Sequence, residues 1–137
     1  MSSIPYSCIS LKNDKIISLK ENKSCFRFFN PERKQVKCIL VDGCAITDGI
    51  RCDHLLIDAN DTEHFIELKG RDITHAVEQL ESSIRQLSTN KGVKYSFIVS
   101  TRCPLSGTDI QNFKKRFKQE YNSELIIKNL ICEHTHS

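Results

Sequence analysis

An α/β (α+β) fold, with a central mixed β-sheet flanked by helices, is predicted by three features of this chain. Between residues 52 and 69, two short runs rich in Ile, Leu and Phe flank a cluster of turn formers, which is the pattern of a β-hairpin. Apolar residues then recur at helical spacing as Ile73, Ala76, Val77, Leu80, Ile84 and Leu87. After that helix, Tyr95 to Ser100 (YSFIVS) is almost continuously apolar, as expected of a strand buried on both faces in the middle of a sheet. Strands that alternate with helices after antiparallel hairpins make a mixed sheet.

Along the chain, Ser7 to Leu11 and Ile16 to Leu19 flank Lys12-Asn13-Asp14-Lys15 and predict a first hairpin. Cys25 to Phe29 and Val36 to Val41 bracket Asn30-Pro31-Glu32-Arg33-Lys34 and predict a second. Turns follow at Asp42-Gly43 and Asp48-Gly49. The helix from residue 73 has Asp72 as its cap. A later helix is marked by a Thr108/Gln111 capping-box pattern and by the stripe Ile110, Phe113, Phe117 and Tyr121. Its other face carries Lys114, Lys115, Arg116 and Lys118, a basic run suited either to phosphate contacts or to plain solvation. Glu124 to Leu130 reads as a final strand.

The chemistry is concentrated in the central hairpin. Cys52 to Ile57 and Glu63 to Lys69 are its strands, and Asp58-Ala59-Asn60-Asp61-Thr62 is its loop. A loop centred on Asn60 pairs residues whose numbers sum to 120, setting Asp53 opposite Glu67 with Cβ atoms roughly 5 Å apart. Alternation along the strands sends Asp53, Glu67 and Lys69 to one face. This requires a loop with an odd number of residues, because a one-residue slip would turn Asp53 to the other face. Two acids that can hold a divalent cation, beside an amine, are equipment for cutting a phosphodiester. Gln79 lies at the edge of the following helix's apolar stripe, where it can face back across the strand ends.

Composition sets the limits. The 137 residues, 39% of them hydrophobic, suffice for a single domain, residues 1–137. No apolar stretch approaches 18 residues, and Met1-Ser2-Ser3 lacks a signal-peptide pattern, so a cytoplasmic protein with no membrane association is expected. Seven cysteines at wide spacing and in odd number suggest free, mostly buried thiols. No CxxC occurs. Cys132-Glu133-His134-Thr135-His136 holds ligand-type residues, in a tail expected to fray. The net charge of +3 does not by itself mark a strong DNA binder.

Cys52-Asp53, then Phe65-Ile66-Glu67-Leu68-Lys69-Gly70, then a helix carrying Gln79, resemble the PD-(D/E)xK nuclease superfamily. The resemblance covers roughly residues 36–131, leaving residues 1–35 as a β-rich N-terminal extension of antiparallel hairpins before a restriction-endonuclease-like core. It implies a metal-dependent endonuclease acting on DNA in repair, restriction or defence against foreign DNA. Asp53, Glu67, Lys69 and Gln79 would be catalytic; Asp53, Glu67 and the main-chain carbonyl of Leu68 would hold Mg²⁺ or Mn²⁺. Arg51, Arg71, Lys114, Lys115 and Lys118 are candidates for contacts to nucleic acid. Duplex cleavage would call for a homodimer or a second nick, and a partner protein could deliver the substrate. Cys52 stands where the family name has proline, Ser83 where glutamine-bearing members often have tyrosine, and no acidic N-terminal helix is evident. These departures keep open a catalytically inactive subunit that binds nucleic acid or protein, and a small structural domain in which the acids merely satisfy basic neighbours.

Overall fold

The computed structural model describes residues 4–68, 72–101 and 106–136, and among these the chain forms nine strands and two helices. The strands are β1 (Ile9–Lys12), β2 (Ile16–Glu21), β3 (Ser24–Phe29), β4 (Val36–Leu40), β5 (His54–Ile57), β6 (Glu63–Leu68), β7 (Lys94–Ser100), β8 (Ser123–Asn129) and β9 (Ile131–Thr135). The helices are α1 (Ile73–Leu87) and α2 (Gly107–Tyr121). Six strands form the main sheet in the order β1-β4-β5-β6-β7-β8, antiparallel as far as β6 and parallel beyond it. The central mixed sheet of an α+β fold is therefore present, with β7 inside it as YSFIVS predicts.

Its two faces are covered differently. Leu55, Phe65, Ile98 and Leu125 pack with the apolar stripe of α1 and with Phe117 of α2. Leu56, Ile66, Leu68, Phe97 and Val99 pack instead on Ile17, Phe26, Phe28 and Cys132 of a three-stranded sheet, ordered β2-β3-β9. All six residues of β6 are buried, because this strand lies between both layers.

The two N-terminal hairpins do not form as predicted. β1 pairs with β4, and β2 pairs with β3 across the two-residue turn Asn22-Lys23, with Asn22 at φ 53°. The turn formers at residues 12–15 and 30–34 instead carry the chain between the two sheets. Buried Asn30 holds both crossings, donating its backbone N–H to Lys15 O (2.7 Å) and its side-chain amide to Lys34 O (2.6 Å).

Three further expectations are corrected. The C-terminal tail is a strand, since β9 lies parallel to β3 from Cys25↔Ile131 to Phe29↔Thr135 and covers what would be an open edge. The cap of α2 is Ser106, whose Oγ accepts the Asp109 N–H, so the helix starts before the Thr108/Gln111 pattern. Cys8 and Cys44 form a disulfide, while Cys25, Cys38, Cys52 and Cys132 are free. Adjacent β1 and β4 bring that pair together across 36 positions of sequence, a spacing that conceals it. Among the described residues, no helix is long and apolar enough to cross a membrane.

Candidate active site

The β5–β6 register runs from His54↔Ile66 to Ile57↔Glu63, so partner numbers sum to 120 and the loop has five residues, as predicted. Asp58 shapes that loop: its Oδ1 accepts the N–H groups of Asn60 (2.9 Å) and Thr62 (3.0 Å), while Asp61 takes φ 62°. At the other end of the hairpin the ladder becomes irregular. The Asp53 N–H donates to Ile66 O (3.2 Å), one residue short of the rung opposite Glu67. Asp53 Oδ2 accepts the Leu68 N–H at 2.8 Å, a role a strand carbonyl would otherwise fill. Asp53 is thus joined to the end of β6 by its carboxylate, where a regular rung was predicted.

Glu67 shares the helix-side face of β6 with Phe65. Asp53 and Glu67 are both buried, at 6% and 4% exposure. Burial, opposed by the Ser83 hydrogen bond and reinforced by the charges of Glu67 and Asp53, pushes the Cys52 thiol up to about 12. Asp53 is thus bonded to the backbone amide of the residue that follows Glu67.

Helix α1 holds the segment that leads into Asp53. Its start is set by Asp72, whose carboxylate accepts the His75 N–H (3.2 Å). Ser82 Oγ donates to Ile50 O (2.6 Å), Gln79 Nε2 donates to Arg51 O (3.1 Å), and buried Ser83 Oγ accepts the Cys52 N–H (2.8 Å). Gln79, for which the stripe left both a place across the strand ends and a solvated flank open, grips the backbone just before β5. Ser82 had no predicted role and Ser83 stood only as a departure from a family pattern. Their signal in the sequence is a serine pair one turn after Gln79, interrupting the apolar stripe.

Beside this clamp lies a cleft of about 270 Å³ lined by Asp42, Gly49, Ile50, Arg51, His75 and Gln79. Arg51 donates from Nε to Asp42 Oδ1 (2.8 Å) and from Nη1 to Gly49 O (2.9 Å), which fixes its guanidinium in the cleft wall. His75, one turn before Gln79, is a cleft residue that the sequence reading missed. Lys69 and Arg71 lie outside the described residues. Lys114 and Lys118 line a second cleft, of about 180 Å³, with Ser123 to Leu125 at the start of β8, and Lys115 is exposed. In the parallel register Glu67 stands level with Ile98 and Ile127, so that cleft is two strands away and roughly 7–13 Å back along the sheet. The structure does not bring these lysines to the acid pair. Arg116 of the same helix is engaged with Glu81 at 2.8 Å.

Among the described residues, no three His, Cys, Asp or Glu side chains form a ready metal-holding group. Two carboxylates beside a main-chain segment fit Mg²⁺ or Mn²⁺ nonetheless, since such ions keep several waters and often take only one or two protein carboxylates. No protein-family profile, curated protein or solved structure matches the chain.

Proposed function

We propose that the chain is a metal-dependent phosphodiesterase cleaving DNA, a PD-(D/E)xK-type nuclease of the cytoplasm serving repair, restriction or defence. The observation that carries this reading is the Asp53 Oδ2 to Leu68 N–H bond, which joins the first acid to the backbone directly after the second. Asp53, Glu67 and the Leu68 carbonyl would hold Mg²⁺ or Mn²⁺, which when bound polarises the scissile phosphate and acidifies a water. Lys69 follows Leu68 directly and is assigned to orient that water and steady the charge developing on phosphate. Gln79 and Ser83 keep the Asp53 segment in place. Arg51 and Arg71 contact phosphates near the cut, and Lys114, Lys115 and Lys118 attract the backbone farther off in a salt-dependent way. A single site cuts one strand, so a duplex requires a second copy of the chain, a second nick or a partner protein that presents the substrate.

The second reading, an inactive subunit that binds nucleic acid or protein, draws on the deep burial of both acids. Cleavage of supercoiled plasmid and single-stranded DNA, with Mg²⁺, Mn²⁺ or EDTA, separates the two. We expect metal-dependent cutting that drops at least ~100-fold in Asp53→Asn, Glu67→Gln and Lys69→Ala. Salt-sensitive DNA binding without cutting would favour the inactive subunit, and neither activity would overturn both readings.

A further inference from the structure

At the loop end of the β5–β6 hairpin, away from Asp53, lies a buried cluster that the proposed nuclease chemistry does not use. Asp58 of the loop, His64 of β6 and His136 just after β9 meet between the two sheets. Asp58 Oδ1 is committed to the loop amides of Asn60 and Thr62, and its Oδ2 lies 3.9 Å from His64 Nε2 and 3.9 Å from His136 Nε2. All three side chains are buried, with 4%, 1% and 5% exposure for Asp58, His64 and His136.

The tautomer of His64 follows from its surroundings. Its Nδ1 is 3.3 Å from Leu56 O, which can only accept, so Nδ1 carries the proton, and in the neutral ring Nε2 then turns a lone pair toward the Asp58 carboxylate. Tyr95 stacks on the ring and Phe28 meets it edge-on, holding that orientation. A lone pair facing a carboxylate in a buried site is unfavourable, and a cation between them makes the same geometry attractive. A histidine whose other nitrogen is tied to a backbone carbonyl is also arranged as metal-binding histidines usually are.

We propose that Asp58, His64 and His136 bind a divalent transition metal of the zinc type and thereby staple the end of the C-terminal strand to the hairpin. Two imidazoles and one carboxylate suit Zn²⁺ and leave a fourth position for water. Tetrahedral coordination at about 2.0–2.1 Å sets neighbouring ligand atoms about 3.4 Å apart, so each 3.9 Å separation closes by about half an ångström when the ion binds. As the side chains stand, no three His, Cys, Asp or Glu among the described residues form a group ready to hold a metal ion, so binding requires these three to close together. His136 also lines a pocket of about 90 Å³ with Asn30, Pro31, Glu32 and Lys34.

The test is calorimetric titration of the metal-stripped full chain with Zn²⁺, and with Co²⁺ followed by visible absorption. We expect one tight equivalent, a tetrahedral-type cobalt spectrum, and a Tm raised by Zn²⁺. Binding should weaken at least about 10-fold in His136→Gln, which leaves the hairpin loop intact, and in Asp58→Asn, yet persist in Glu67→Gln. The last variant separates this site from the acid pair, so the proposal stands or falls independently of nuclease activity. Absence of a cobalt spectrum, as expected of a cluster that merely shares a proton, would overturn it, as would equal binding by a folded His136→Gln protein.

Discussion

His64 shows how one enclosed side chain governs a bulk property. Burial, followed by the charge of His134, lowers its pKa to about 4, against the opposing pull of Asp58 and the Leu56 carbonyl. An unfolded histidine titrates near 6.5, so on acidification the unfolded chain takes up this proton first. Stability is therefore complete above about pH 6.5, declines as the pH falls toward about 4, and loses nothing further to this group below that. Burial lowers His134 and His54 in the same direction. In metal-free buffer, Tm should fall across this window, and His64→Phe, which keeps an aromatic ring in the stack, should lessen the slope; an unchanged slope would show that His64 is not its source. At this scale the sequence revealed the acids but not their bonding. Asp53 and Glu67 were legible because strand alternation is local, whereas the Asp53 bond to Leu68 arises from an irregular strand end that no periodic pattern encodes.

Among the elements, α1 is the one whose surface was read best and whose role was read least. A period of 3.6 residues identifies its buried stripe directly, and Asp72 caps it as predicted. The grip of Gln79, Ser82 and Ser83 on residues 50–52 depends on a segment about thirty positions away, invisible to any local window. Ser83→Ala should cost about 1–3 kcal/mol in urea unfolding, because the Cys52 N–H stays buried without its acceptor. A loss within error would mean that the amide finds another partner. Glu81, facing the other helix, accepts from Arg116 (2.8 Å) and from the Tyr121 hydroxyl (2.9 Å), linking α1 to α2. Glu81 and Arg116 are polar positions that helical periodicity assigns to solvent, whereas Tyr121 belongs to the stripe of α2.

For the molecule as a whole, the Cys8–Cys44 bond ties the segment before β1 to the turn after β4. Closing a loop of this length contributes about 2–4 kcal/mol under oxidising conditions. Cys8→Ser should lower stability by that amount in oxidised protein and leave reduced protein little changed; identical melts of native protein with and without reductant would refute the contribution. Cytosolic thiol pools oppose such a bond, so its state reports on the compartment as well. The sequence by itself determined the fold class, the central hairpin with its register, the interior strand β7 and the apolar stripe of α1, while of the stripe expected to be buried on α2 only Phe117 is fully so. Each follows from propensity and periodicity within a short window. Only the tertiary structure decided that the N-terminal strands divide between two sheets, that the tail becomes β9, and that Cys8 meets Cys44 and His136 meets Asp58. Those pairings depend on which exposed edge or apolar face remains to be covered once the local elements exist, and that is a property of the assembled core.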